Sequence, residues 1–160
     1  MSESQNPTVA LLKNPVMFLA LGFGSGLSPK APGTAGSAVA LLLMPLLNML
    51  PAWWYGLMIV LAFWAGTAIC NYADSRLTGK DHSSIVWDEF VGLWLALASV
   101  PATWTWWLGG FLLFRVFDIL KPWPISVLDK KIPGGFGIMF DDLVAGAMVW
   151  VAMSVLVLVL

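Results

Sequence analysis

An all-α, polytopic membrane helix bundle of about five spans, with its polar loops clustered at the cytoplasmic face, is the fold class this sequence predicts. Three observations carry the prediction. Of the 160 residues, 59% are hydrophobic and only 11% charged, against about 25% charged in soluble domains. The apolar residues are gathered into charge-free runs at 31–73, 90–114 and 143–160. Ten Trp and nine Phe suit a bilayer, because aromatic rings collect at its interfaces. The length fits one domain, taken as residues 1–160.

Met1 to Thr8 is polar and carries Pro7, which predicts a loose tail. Val9 to Leu21 mixes Lys13 and Asn14 with Met17, Phe18 and Leu19, the pattern of a short helix lying at the interface. Between Gly22 and Ser37, five glycines and two prolines argue against regular structure for most of the stretch. The run 31–73 is long enough for two helices of about 20 residues. Asn48 to Pro51 is the break, which predicts helices over Thr34–Leu50 and Ala52–Tyr72. Asp74 to Glu89 is a polar loop carrying Arg76, Lys80, Asp81 and His82, the last expected to be a solvated loop residue.

Residues 90–114 are interrupted at Pro101, predicting two further helices joined by a turn. These reach a useful length only if the third begins before Asp88 and the fourth runs to about Leu120, which sets Asp88, Glu89, Arg115 and Asp118 on helix ends. Residues 121–140 are polar and rich in Pro and Gly, and Leu143–Leu160 is the last span. Trp104, Trp106 and Trp107 are expected to anchor the outer interface.

All eight basic residues fall in three patches separated by charge-free hairpins, so the positive-inside rule places every charged patch in the cytoplasm and the C-terminus outside. Basic residues are too few and scattered for a nucleic-acid footprint. Cys70 is the single cysteine, expected to be a packing residue, and it excludes an intrachain disulfide. The N-terminus lacks the basic start of a cleavable signal, so the mature chain is expected to be the whole chain.

This topology brings Asp74, Asp81, Asp88, Glu89, Asp118, Asp129, Asp141 and Asp142 to one membrane face. Carboxylates at a membrane boundary are costly and usually have partners or a task. So many oxygen ligands suit a hard cation, and Mg2+ takes one or two carboxylates together with phosphate oxygens. Ser28, Lys30 and Thr34, in the glycine-rich stretch that opens the first helix, favour an anion. Arg115, Asp118 and Lys121 recur every third residue and are expected to share one helix face. Asp141-Asp142 is placed where a polar loop enters the last helix, with a helix-dipole role as the competing explanation. The placement of Cys70 and the lone histidine argue against cysteinyl- and histidyl-phosphate routes. Attack of water on phosphorus, with carboxylates holding a metal and one acting as base, is what remains.

Four ordered motifs then resemble a known family: Gly22-x-Gly24-Ser25-Gly26-Leu27-Ser28-Pro29-Lys30-Ala31-Pro32-Gly33-Thr34; Val86-Trp87-Asp88-Glu89-Phe90-Val91-Gly92; Phe114-Arg115-x-Phe117-Asp118-x-x-Lys121-Pro122-Trp123-Pro124; and Gly134-Gly135-Phe136-Gly137-Ile138-Met139-x-Asp141-Asp142-x-x-Ala145-Gly146. The chain resembles the phosphatidylglycerophosphatase A family from about Phe18 to its last helix. The resemblance implies a Mg2+-dependent lipid phosphatase of the bacterial inner membrane, acting at the cytoplasmic face. Such an enzyme converts phosphatidylglycerophosphate to phosphatidylglycerol and phosphate on the way to cardiolipin.

Glu89, Asp118, Asp141 and Asp142 are the expected catalytic residues, Asp88, Glu89, Asp141 and Asp142 the expected metal ligands, and Ser28, Lys30, Thr34, Arg115 and Lys121 the expected phosphate-binding residues. The competing expectation is a small, non-enzymatic membrane subunit or ion-handling protein, which would place ionisable groups near mid-span.

Overall fold

The structure, a computed structural model, describes residues 8–77 and 81–160, and of Asp81 and His82 only the backbone. The tail through Pro7, Lys80 and the side chains of Asp81 and His82 lie outside the described residues. All helices pack around one core, and they follow the predicted order with several changes of boundary.

The interfacial segment is a 3-10 turn over Val9–Lys13 followed by α1 (Pro15–Ala20). Asn14 caps α1 by accepting from the Val16 and Met17 amides, and its side-chain NH2 donates to the Tyr72 hydroxyl at 2.8 Å. The cap satisfies amides that a helix start leaves unpaired. Gly22–Leu27 forms a second 3-10 turn in which Phe23 (φ 59°) and Gly24 (φ 95°) are left-handed.

Regular helix resumes earlier than predicted. α2 spans Pro32–Leu42 and α3 Met44–Leu47. The expected continuous helix breaks at Leu43 because Pro45 has no N–H and its ring would collide with the preceding turn of an unbroken helix. Pro45 is accommodated in the first turn of α3.

α4 runs from Ala52 to Asp74. α5 (Trp87–Ala96) and α6 (Trp104–Leu120) are the expected pair joined by a turn. The 121–140 segment is not a loop throughout. It holds α7 (Ile125–Lys131), and α8 already begins at Gly134 and continues to Val159.

Two helices, α4 with 23 residues and α8 with 26, are long and apolar enough to cross a membrane. At 1.5 Å per residue the ten residues of α5 cover about 15 Å, half of a hydrocarbon core of about 30 Å. Large apolar side chains are exposed along α4 (Trp53, Leu61, Trp64), α6 (Leu108, Leu112, Ile119) and α8 (Val151, Val155). Water would penalise such a continuous apolar surface, whereas lipid accommodates it.

α8 packs against α4, α5, α6 and α7. Its crossing with α5 needs two glycines, because a Cβ on Gly146 would strike the Gly92 carbonyl, and one on Gly92 would lie 2.7 Å from the Asp142 carbonyl. The Gly135 amide donates to the Asn71 side-chain carbonyl at 2.6 Å, tying the start of α8 to the end of α4. Ser99 and Ser154 meet at 2.8 Å at the opposite end. The starts of α2, α5 and α8 and the ends of α4 and α6 therefore share one end of the bundle, where the polar residues gather. Cys70 is buried in the core, as expected of a packing residue.

Candidate active site

At that end the start of α2, the first turn of α5, the last turn of α6, α7 and the second and third turns of α8 enclose a cavity of about 410 Å3. Each helix delivers its groups for a local reason. α5 starts at Trp87, so Asp88 and Glu89 occupy its first turn, where acids complement the helix dipole. α6 carries Arg115 and Asp118 one turn apart, and Arg115 Nη1 donates to Asp118 Oδ2 at 2.8 Å.

Arg115 is not confined to that pair. The same nitrogen donates to Glu89 Oε2, and the Ser37 hydroxyl of α2 donates to that oxygen at 2.7 Å. Three helices are thereby joined at one guanidinium whose side chain is only 12% exposed. The contact requires a bare backbone on α2: a Cβ on Gly33 would overlap Glu89 Oε1 and approach Arg115 Nη2 to 3.0 Å.

Lys121 does not continue the helix face expected from its spacing. It caps α6 in a left-handed conformation (φ 43°), which turns its side chain away from the Arg115 row. Its ammonium donates to Asp129 Oδ1 of α7 at 2.8 Å and to Asp141 Oδ2 of α8 at 2.7 Å. Burial opposes its charge, but the hydrogen bonds and charges of these two carboxylates outweigh burial and raise the Lys121 pKa. In return the hydrogen bond from Lys121 holds the Asp129 pKa below its ordinary value, against a smaller opposing effect of burial.

Asp141 and Asp142 are not at a helix entry. α8 begins seven residues before Asp141, because Gly134, Gly135 and Gly137 serve close packing rather than a loop, with Gly135 against Thr67 and Asn71 of α4. The helix-dipole explanation of the doublet therefore lapses. Both acids are buried but face different partners. Asp141 pairs with Lys121, while Asp142 joins Glu89 and Asp118 in a triad whose carboxylate oxygens lie within 4.8 Å of one another. That spacing can hold a metal ion.

The residues lining the cavity also carry buried polar atoms with no partner among the described residues: Asp88 Oδ1, Asp141 Oδ1, Asp142 Oδ2 and the Arg115 Nε–H. Unsatisfied buried groups are rare and costly. Among the described residues six carboxyl groups line the cavity (Asp88, Glu89, Asp118, Asp129, Asp141 and Asp142) against two cations, Arg115 and Lys121. Full ionisation leaves four uncompensated negative charges, a donor set suited to a hard cation. The orphaned Nε–H of Arg115 in the same cavity suits an anionic oxygen.

The expected residues divide between two cavities. Thr34, Asp88, Glu89, Arg115, Asp118, Lys121, Asp141 and Asp142 line the central one, whereas Ser28 and Lys30 line an adjacent one. Asp88 lies in the central cavity but outside the close triad, and Asp118, expected as a catalytic acid, is in it. Sequence reasoning missed Ser37 and Gly33. Their signal was faint: a lone hydroxyl one turn beyond a glycine, at the polar end of an apolar run. Asp129 was expected on this face without a role, and it holds Lys121.

A sequence model of the family described as Phosphatidylglycerophosphatase A matches residues 18–157. A protein of Escherichia coli (strain K12) named Phosphatidylglycerophosphatase A is 46% identical over 136 residues, covering 84% of this chain and 79% of that protein. A protein of the same name from Haemophilus influenzae is 45% identical over 147 residues, covering 91% and 90%. A Bacteroides thetaiotaomicron protein, named provisionally as a phosphatidylinositol-3-phosphatase, is 39% identical over 147 residues, covering 87% and 91%. No solved structure matches the chain.

Proposed function

The chain belongs to the phosphatidylglycerophosphatase A family and is a phosphatase, and from that premise we propose that it removes the terminal phosphate of phosphatidylglycerophosphate, leaving phosphatidylglycerol on the route to cardiolipin. The observation that carries the reading is the pairing, among the residues lining one pocket, of buried unpaired carboxylate oxygens with a buried unpaired arginine N–H. A phosphomonoester and its counter-cation supply the two missing partners together.

Arg115 is held at the pocket wall by Glu89, Asp118 and Ser37, so its fixed guanidinium is the group to neutralise a phosphoryl oxygen, with its unpaired Nε–H as the spare donor. Lys121 and Thr34 line the same wall and add a charge and a hydroxyl. Asp141 Oδ2 is bound by Lys121, which leaves Oδ1 to take the proton of an attacking water. The water oxygen bonds to phosphorus, the bond from phosphorus to the glycerol oxygen breaks, and that oxygen is protonated from solvent at the cavity mouth. Glu89, Asp118 and Asp142 would hold magnesium, with Asp88 in the same cavity, and the bound ion would supply charge neutralisation at the phosphoryl group.

Two long apolar helices support a membrane setting for this reading. α4 and α8 cross the bilayer, and α2–α3, α5 and α6 complete a five-segment, multi-pass arrangement forming a single domain in the bacterial inner membrane. The described basic residues sit at the cavity end, and the positive-inside tendency supports a site at the cytoplasmic headgroup level. The ionisable groups cluster at this one end, whereas an ion-handling protein would carry them near mid-span.

Phosphate release by purified protein from phosphatidylglycerophosphate, with phosphatidylinositol 3-phosphate alongside, tests the reading. Release from the first in the presence of magnesium is expected. Release from the second alone would transfer the activity to the lipid named for the Bacteroides relative.

A further inference from the structure

Ser28 and Lys30 stand outside the acid-lined cavity, in a neighbouring one of about 460 Å3 that also includes Gly26, Ser83 and Ser84. The two cavities adjoin, since Pro32 and Ser83 line both. Their chemistry is opposite. Among the described residues, the first is lined by six carboxyl groups, while none that lines the second is acidic and its charge is that of Lys30. Among the described residues Lys30 has no ion-pair partner.

The wall beside it is fixed in place. The 3-10 turn fits so closely that a Cβ on Gly26 would overlap the Ser84 carbonyl, and the Val86 amide donates to the Ala20 carbonyl at 2.9 Å. The same turn presents Phe23, 44% exposed, stacked edge-on against Phe18 at 5.4 Å and Phe90 at 5.8 Å. A cation with hydroxyls, walled by a turn that also carries an exposed aromatic residue, is an arrangement suited to a lipid headgroup where its chains enter the bilayer.

Phosphatidylglycerophosphate carries two phosphates, a terminal monoester and, one glycerol away, the diester that joins the headgroup to the diacylglycerol. Resting on the activity proposed above, we infer that the second cavity binds the diester. Lys30, helped by Ser28, selects lipids bearing a second phosphate beside the scissile one, and Phe18 and Phe23 flank the exit of the acyl chains. Lys30 is thus a specificity residue and does not touch the reacting phosphorus.

The test compares wild type with Lys30→Ala and Lys30→Arg in mixed micelles, with phosphatidylglycerophosphate as substrate. Two inhibitors separate the cavities: inorganic phosphate resembles the scissile group, and phosphatidylglycerol carries only the diester. Lys30→Ala is expected to raise KM and the phosphatidylglycerol inhibition constant about tenfold, the scale of one lost charge-assisted hydrogen bond. The kcat and the inhibition by inorganic phosphate should stay near wild type, and Lys30→Arg should recover most of the loss.

Unchanged KM, or a parallel weakening of inhibition by inorganic phosphate, overturns the assignment. Wild-type protein that releases no phosphate from this lipid would remove the proposed activity itself, and the diester site with it. That outcome is distinct from an active wild type with an indifferent Lys30.

Discussion

Arg115 and Lys121 are both cations held between two carboxylates at the same end of the bundle, yet they are built differently. Arg115 sits within a continuous helix, 12% exposed, bonded to its own helix, to α5 through Glu89 and, at a longer 3.4 Å, to Ser37 of α2. Lys121 lies at a left-handed helix end, 31% exposed, and bridges α7 and α8. A planar guanidinium can serve several fixed acceptors at once, whereas an ammonium on a flexible stem acts as a mobile point charge. The difference separates a group that holds the site together from one that can follow a substrate in and out of it.

Replacing Arg115 should therefore have the largest consequence. Arg115→Ala leaves Glu89 and Asp118 as uncompensated buried carboxylates, a change that costs about 3–5 kcal/mol when a buried pair is broken. Phosphate release should fall by roughly 10³-fold or more, the scale on which an arginine stabilises phosphoryl transfer. Arg115→Lys should fail to restore it, because one ammonium cannot reproduce the shared geometry. Recovery by lysine in a phosphate-release assay would make the two cations equivalent and undo the contrast.

Ser37→Ala probes the same centre more gently. It removes one donor to Glu89, and about 1–2 kcal/mol of stability should be lost, as for a buried charge-assisted hydrogen bond. Thermal unfolding in detergent reads the stability, and turnover should drop by less than in Arg115→Ala. A Ser37→Ala protein as damaged as Arg115→Ala would make Ser37, rather than the guanidinium, the organising group.

At the Lys121 centre the smallest effect is expected from Asp129→Asn. Asp129 is 45% exposed, and solvent screening limits its ion pair to about 1 kcal/mol or less. Its pKa is lowered in the folded protein, so its contribution is present above the unfolded carboxylate pKa and disappears as pH falls through the folded value. Melting curves of wild type and Asp129→Asn should therefore differ slightly at neutral pH and converge in acid. A gap that widens on acidification would reverse the assigned sign.

Much of this was legible in the sequence because charges occur at only one end of each predicted helix, and hairpin connections then bring those ends together. That pattern alone placed Glu89, Arg115, Asp118 and Asp142 on one face. The start of α8 was not legible. Gly134, Gly135 and Gly137 have the composition of a loop, and Asn71, the packing partner of Gly135, is 64 residues away. Nor could three-residue spacing show that the helix ends before Lys121 and swings it toward Asp129 and Asp141. Ser37 was hidden because one hydroxyl in an apolar helix is usually satisfied by its own backbone, and only the folded chain puts Glu89 beside it.

We propose a division of labour in the α8 doublet: Asp142 faces the cation with Glu89 and Asp118, and Asp141, bound to Lys121, faces the water. Magnesium titrations of phosphate release by well-folded Asp142→Asn and Asp141→Asn proteins test it most directly. The expected result is a raised magnesium requirement in Asp142→Asn, partly relieved by excess metal. In Asp141→Asn the magnesium requirement should be normal and turnover lower by roughly 10²–10⁴-fold, the usual scale of general base catalysis. Wild-type titration curves in both variants, or the two phenotypes exchanged, would contradict it.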